Sequence, residues 1–164
     1  MAQAQPKSPR RSPDELRTLC TNRQARHDYH LEETYEAGIA LLGSEVKSIR
    51  EGRANLRDSY AAFREGELFL YNCHVSPYAQ ASRFNPDPRR PRKLLLRREE
   101  IQRLVGKVEE KGLTLVPLSL YLKGRRVKVG LALARGKKQF DRREDVKRRE
   151  AEREIARAVR SATR

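Results

Sequence analysis

The sequence predicts a mainly β protein: a small antiparallel barrel, two or three short flanking helices, and a basic C-terminal tail. Three observations carry that expectation. Apolar and polar residues alternate with the period of two that marks half-buried strands in several runs between residues 28 and 134. The runs are short and are separated by glycine- or proline-bearing segments. A chain of 164 residues is enough for one modest core with flexible ends.

In chain order, residues 1–21 are rich in Gln, Ser, Pro and Arg, and Pro6, Pro9 and Pro13 interrupt any regular element. A disordered arm is expected there, with at most one helical turn at Leu16 and Leu19. A strand begins near Asp28, where Tyr29, Leu31 and Glu33 alternate with His30, Glu32 and Thr34, and the apolar run 38–42 extends it. A short helix fits 44–51, with Leu42, Val46 and Ile49 on one side and Gly52 as its stop. Segments 60–63 and 68–75 flank Arg64-Glu65-Gly66-Glu67 as a hairpin. Pro77, Pro86, Pro88 and Pro91 mark 76–92 as an irregular exposed loop. After an apolar run at 93–96, a second helix fits 97–105, with Ile101, Leu104 and Val105 on one face and Gly106 as its stop.

The strongest hairpin joins 113–122 to 125–134 through Lys123-Gly124. Val127, Val129, Leu131 and Leu133 of its second arm face one way, and Lys128, Gly130, Ala132 and Ala134 the other. Small residues beside a lysine predict the close approach of something large. The whole pattern suits a five- or six-stranded barrel of the oligonucleotide-binding type over 22–134. Residues 135–164 hold 12 basic and 6 acidic side chains. Asp141 and Glu144 have capping-box spacing, and Glu144 with Arg148 and Asp145 with Arg149 are helix pairs. Val146, Ile155 and Val159 make no apolar stripe, so this tail is expected to be unfolded alone and helical on a partner. In helical form, the stretch from Asp141 onward would reach about 36 Å at ~1.5 Å per residue.

Composition narrows the function. Lys and Arg number 37 against 22 Asp and Glu, a formal charge of +15. Self-repulsion of that size calls for a polyanionic partner, nucleic acid first and an anionic membrane surface second. No run approaches the length of a membrane span and no secretory apolar core opens the chain, so a cytoplasmic location is expected. Cys20 and Cys73 are expected as free thiols, and His27, His30 and His74 lack zinc-ligand spacing with them. Lys137 belongs to no phosphate-binding Gly-rich loop, and no nucleophile elbow exists. Glu32, Glu33 and Glu36 cluster in sequence as a magnesium-dependent nuclease would need, although a solvated strand edge suits Glu32 and Glu33 better. No catalytic residue, metal or cofactor is expected.

The cations fall into four groups: Arg23 with Arg26 and His27; Lys47 with Arg50 and Arg53; 89–93; and Arg135 with Lys137 and Lys138. Spread around one small barrel, they predict a broad RNA footprint that includes Arg26, Lys47 and Lys93. Aromatic residues are only 6% of the chain and Trp is absent, which favours reading folded shape and backbone over stacking on single strands.

Several blocks carry a family resemblance: 22–29 (NRQARHDY), 35–41 (YEAGIAL), 43–48 (GSEVKS), 59–61 (SYA), 92–96 (RKLLL), 112–118 (GLTLVPL), 127–129 (VKV) and 136–143 (GKKQFDRR). Collinear from Asn22 to Arg149, they resemble the small protein B family, the SsrA-binding proteins of bacteria. That resemblance implies a barrel of the oligonucleotide-binding type that binds the tRNA-like domain of transfer-messenger RNA. It implies delivery of that RNA, charged with alanine, to stalled ribosomes, where the nascent chain is tagged and the ribosome released. Elongation factor Tu and alanyl-tRNA synthetase are then indirect partners, and the protein is expected to be a monomer. The family's tail is disordered when free and helical in the empty mRNA path, in place of a codon–anticodon pair.

The family's RNA contacts fall on Asn22, Glu36, Leu95 and Lys128, and its decoding-site segment on Gly136, Lys137, Lys138, Phe140, Asp141, Arg142 and Arg143. Lys128 also has its small-residue strand face in favour. Glu36 would repel phosphate unless it binds a base edge, a ribose hydroxyl or a neighbouring arginine. Leu95 reads as core from the sequence, with contact to an unstacked base or ribose as the sharper alternative. Phe140 stands where the family often has Tyr or His, Arg142 where it has Lys, and Ser44 where it has Trp. A stably bound ribosomal protein and a nuclease remain the competing classes.

Overall fold

The structure, a computed structural model, describes residues 16–162. The arm expected over 1–15 lies outside them. The chain forms a mainly antiparallel β architecture with helices packed around it. Its elements are β1 (Leu16–Thr21), α1 (Arg23–Asp28), β2 (Tyr29–Ile39), α2 (Gly43–Arg50), β3 (Ala54–Asn55), β4 (Tyr60–Arg64) and β5 (Glu67–Tyr71). They continue through β6 (His74–Val75), a 3-10 helix (Ala79–Phe84), β7 (Arg92–Leu95), α3 (Arg98–Lys111), β8 (Thr114–Lys123), β9 (Arg126–Gly136) and α4 (Gln139–Ala162).

Every strand pairing is antiparallel, in the order β1-β8-β4-β5-β7-β2-β9, and β8 also pairs with β9. The ladder therefore runs from β8 through β4, β5, β7, β2 and β9 and returns to β8. β8 is long enough to serve three neighbours: β4 meets it at Leu115, β1 from Ser119 to Lys123, and β9 along its other edge. The β8–β9 register slips between Pro117 and Ser119, where a residue with no amide to donate is tolerated in a ladder.

Inside this curl, Ala37, Ile39, Ala61, Leu68, Leu70, Leu94, Leu115, Leu120, Val129 and Leu131 form the main core, which Ile49 of α2 and Leu104 of α3 join. A smaller cluster of Ala25, Val116 and Ala134 lies under α1. It explains a departure from the sequence pattern. Ala134, expected on an open small-residue face, is fully buried because Ala25 of α1 packs on that end of β9, and Ala132 is fully buried as well. Only Lys128 and Gly130 of that face stay partly open.

Other expectations change as well. Residues 16–21 extend β8 as an edge strand instead of belonging to a disordered arm, since Leu19 and Cys20 pack against the core. α1 was not anticipated. α3 runs through Gly106 and stops at Gly112, whose φ of 59° favours glycine. The interior glycine costs about 1 kcal/mol, which packing of Leu104 and Val108 offsets. The tail, expected to be unfolded alone, is one continuous helix with Ile155 and Val159 exposed.

The segment 76–92 is not a free loop. Glu45 of α2, 3% exposed, faces Arg92, 0% exposed, and Arg90. Arg90 donates to both Glu45 oxygens at 2.9 and 2.6 Å, and Arg92 Nε to Oε1 at 2.9 Å. Arg92 also donates to the carbonyls of Cys73 (2.6 Å), Arg90 (3.2 Å) and Pro88 (3.1 Å), so its guanidinium is fully engaged. Two arginines counted in the RNA footprint thus face inward. Burial would raise the Glu45 carboxyl, but Arg90, the Leu42 amide and Arg92 together hold it below its ordinary value of 4.5. A carboxyl lowered on folding contributes stability above its unfolded pKa and loses that contribution as pH falls through the folded one. Glu45→Ala leaves Arg92 buried and unpaired, which costs about 3–5 kcal/mol. Urea midpoints should show that loss at pH 7, and the gap between wild type and variant should narrow as the pH is lowered below about 4.

Candidate nucleic-acid interface

On the outside of the curl, register aligns one row of residues across neighbouring strands. Tyr121 of β8 is the partner of Lys128 of β9, Lys128 of Gly38 of β2, and Gly38 of Leu95 of β7. The next row sets Ser119, Gly130 and Glu36 side by side. The two glycines leave bare backbone between the larger side chains. A Cβ on Gly38 would stand 3.1 Å from Leu95 Cβ, and one on Gly130 3.0 Å from Ser119 Oγ. Glu36, Leu95 and Lys128 therefore line one groove of about 710 Å³, with Thr34 and Arg97 on its rim.

Leu95 is 51% exposed, so the core reading of this residue is replaced by the surface one. Strand alternation is the cause: Leu94 points inward at 1% exposure, and its neighbour must point out. Glu36 accepts from the Tyr121 hydroxyl at 2.6 Å and from Lys123 Nζ at 3.1 Å. The Tyr121 bond first, and Lys123 next, hold its carboxyl below the usual range, while Lys128 acts on it only through space. Burial and Glu36 push the Tyr121 hydroxyl up, so it remains a donor. Glu36 thus orients a tyrosine and a lysine in place of the arginine envisaged from sequence, and it keeps lone pairs free for a hydroxyl or amino donor.

The other predicted RNA-binding residues lie elsewhere. Lys93 forms an ion pair with Glu67 and lines a second groove of about 660 Å³ on the far side of Leu95. Lys47 stands 5.4 Å over the Tyr78 ring in a separate cleft with Ser44 and Arg83. Arg26 is exposed on α1. Asn22 is 7% exposed and already occupied. Its Nδ2 donates to the carbonyls of Leu56 (3.2 Å) and Pro117 (3.0 Å), and its Oδ1 accepts from the Ala25 amide (3.2 Å). It caps α1 and fastens it to β8, a positioning task.

The tail residues meet α1. Lys137, with only 6% of its side chain exposed, pairs with Asp145 and donates to the Arg26 carbonyl at 3.1 Å, while its amide donates to the Asp28 carbonyl at 2.9 Å. Asp141 accepts from the Lys138 amide at 3.2 Å and lies 3.6 Å from His30. Arg142 Nε is 3.9 Å from Asp28 and, although buried, has no hydrogen-bond acceptor. Gly136, Lys138 and Arg143 are exposed, and Phe140 occupies the first turn of α4. The root of the tail is thereby latched onto α1.

The acidic cluster disperses. Glu32 faces Arg135 (3.7 Å), Glu33 faces Lys107 (2.6 Å) and Glu36 faces Lys123. No group of His, Cys, Asp or Glu among the described residues is placed to hold a metal ion. Cys20 and Cys73 are free thiols, and burial raises Cys73 to about 11. No helix among the described residues is long and apolar enough to cross a membrane. Tyr121 and Gly38 were missed as site residues, although Gly38 alternates with Glu36 and marks the same face.

An antiparallel sheet whose outer groove sets Lys128 and Arg97 beside Glu36 and Glu100, with a basic terminal helix and a formal charge of +15, defines a basic sheet-based binding protein. The model of the SmpB protein family matches residues 19–161, and the chain belongs to that family. A relative in Symbiobacterium thermophilum called SsrA-binding protein is 61% identical over 151 residues, 92% of this chain and 96% of its own. One of the same name in Moorella thermoacetica is 60% identical over 147 residues, covering 89% and 95%. A solved structure described as "tmRNA-SmpB: a journey to the center of the bacterial ribosome" aligns at 58% identity with a TM-score of 0.61, over 73% of this chain and 84% of its own.

The latch is testable in isolation. Asp145→Asn removes the charge that neutralises buried Lys137, so amide exchange in residues 139–149 should quicken at least about tenfold while β9 remains protected. Exchange read by mass spectrometry checks this, and equal protection in both proteins contradicts the latch.

Proposed function

We propose that this chain is a cytoplasmic, monomeric RNA adaptor of ribosome rescue, with no catalytic step of its own. In this reading its sheet is a barrel of the oligonucleotide-binding type, a reading supported by the return of the pairings to β8. It binds the tRNA-like domain of transfer-messenger RNA and carries it to stalled ribosomes. Elongation factor Tu and alanyl-tRNA synthetase act on the same RNA.

The observation that carries the proposal is the row Tyr121–Lys128–Gly38–Leu95 with Glu36 beside it. Lys128 neutralises phosphate, and Leu95 offers an apolar contact to an unstacked base or ribose face. Glu36, held ionised by Tyr121 and Lys123, accepts from a base amino group or a 2′-hydroxyl. Gly38 and Gly130 let the RNA backbone approach the sheet. Asn22 contributes by seating α1. Arg26, Lys47 and Lys93 extend the footprint electrostatically.

The tail then performs the second task. Gly136, Lys137, Lys138, Phe140, Asp141, Arg142 and Arg143 are assigned to the decoding site, with the rest of α4 in the empty mRNA path. Lys137, Asp141 and Arg142 must exchange their contacts with Asp145, His30 and Asp28 for rRNA.

Lys128→Ala should weaken binding of the tRNA-like domain about tenfold at ~0.15 M salt, and Gly38→Val should weaken it by crowding Leu95. Unchanged affinity in both would contradict the interface. Removing 141–164 should leave that affinity within about twofold yet abolish peptide tagging on stalled ribosomes. Tagging by the truncated chain would refute the tail's role.

A further inference from the structure

Beyond Leu95 the interface described above uses only Lys93, and that part of the outer face carries the largest aromatic grouping among the described residues. Tyr60 of β4 is the register partner of Tyr71 of β5, and Lys93 of β7 is the partner of Phe69. Leu68, Leu70, Ala61 and Leu94 are the inward residues of these strands, so Tyr60, Phe69, Tyr71, Lys93 and Leu95 share the outward side. The Tyr60 and Tyr71 rings stack with centroids 5.4 Å apart and planes 17° from parallel, and Phe69 lies 6.5 Å from Tyr71 at 50°. Tyr60 is 43% exposed.

Rings that are exposed (Tyr60) or half-buried (Tyr71, Phe69) on the outer face of a sheet, two of them near parallel and with cations beside them, form a stacking surface for bases. Lys93 sits next to Phe69, and Arg64 ends β4 on the same side. The strip is continuous with the proposed RNA groove, because Lys93 and Leu95 are alternate residues of one strand and line the same neighbouring groove. That continuity, with the formal charge of +15, selects RNA over a protein as the occupant. We infer that Tyr60, Tyr71 and Phe69 form a platform on which unpaired bases of the bound RNA stack, while its phosphates pass over Lys93 and Arg64. The inference rests on the RNA-adaptor reading and extends its interface across β7, β5 and β4. It also revises the expectation, drawn from a low aromatic content, that stacking plays little part: three of the ten rings share this one face.

The test uses the full chain and a transcribed tRNA-like domain as probe. A Tyr60→Leu/Tyr71→Leu double variant keeps apolar bulk but removes the rings, and should bind about tenfold more weakly. Tyr60→Phe/Tyr71→Phe keeps the rings and should bind within about twofold of wild type. Photo-crosslinking with 4-thiouridine-substituted RNA should map to Tyr60, Phe69 or Tyr71. Should the Leu variant, confirmed as folded by its melting curve, bind as wild type while Lys128→Ala is impaired, the platform is refuted and the adaptor reading stands. If neither variant weakens binding, the adaptor interface itself fails. Crosslinks confined to the Leu95 groove, or a Phe variant as weak as the Leu variant, also overturn the platform.

Discussion

The fold depends on one carboxylate. Glu45 is carried by a short helix that would be marginal alone, and it is desolvated to the point where only full pairing makes its charge tolerable. Arg90 and Arg92 supply that pairing, and Arg92 in turn satisfies carbonyls at Cys73, Pro88 and Arg90. One guanidinium thereby fixes where the segment 76–92 returns and where β7 begins. β7 is the strand that places Lys93 outward beside Phe69 and Leu95 outward beside Gly38. The position of the candidate interface is thus set from the opposite side of the sheet. The paired charge gives the fold specificity more than net stability, since an apolar substitute of equal volume would remove the donors that Arg92 gives to the Cys73, Pro88 and Arg90 carbonyls.

A second division of labour runs along β9. Its Lys128–Gly130 half is open on the outer side, and its Ala132–Ala134 half is buried, Ala134 under α1. The same strand is open surface at one end and core at the other, and small residues serve both ends for different reasons. At the open end they leave the backbone uncovered, as the proposed RNA contact requires, and at the covered end they admit a helix. Asn22 sets the boundary, because its two amide donors and its cap determine where α1 rests.

These points show what the sequence could and could not reveal. Strand alternation placed the hairpin 113–134 and the outward direction of Lys128, because a period of two is a local property. The same alternation assigned Ala132 and Ala134 to an open face, and only tertiary packing corrected that. Leu95 looked like core because Leu94-Leu95-Leu96 is an apolar run, and a run hides the alternation that pleating imposes. Arg90 and Arg92 looked like RNA ligands because charge in a proline-rich stretch reads as surface, and their partner stands 47 residues from Arg92. Gly106 looked like a stop, although the apolar positions beyond it, Val108 among them, continued the stripe. The tail is the mirror case. Its sparse stripe leaves Ile155 and Val159 exposed, and what holds its root is polar contact with Asp28, His30 and the Arg26 carbonyl.

That polar latch bears on how a chain of such charge keeps its tail available. An apolar dock for α4 would bury surface that RNA could not replace, and release would be costly. Ion pairs are different, because a phosphate can take the place of Asp145 or Asp28 opposite Lys137 or Arg142 with little net change in desolvation. Arg142 Nε, buried without an acceptor, leaves the latched state one hydrogen bond short, a deficit that a phosphate oxygen would fill. The exchange is therefore near balance in isolation and favoured where phosphate density is high. Under the tail role proposed above, a tail held this way would keep a defined exit direction from β9 in the free protein and give it up where polyanion surrounds it, and the electrostatics that makes the chain self-repulsive would supply the force that moves it.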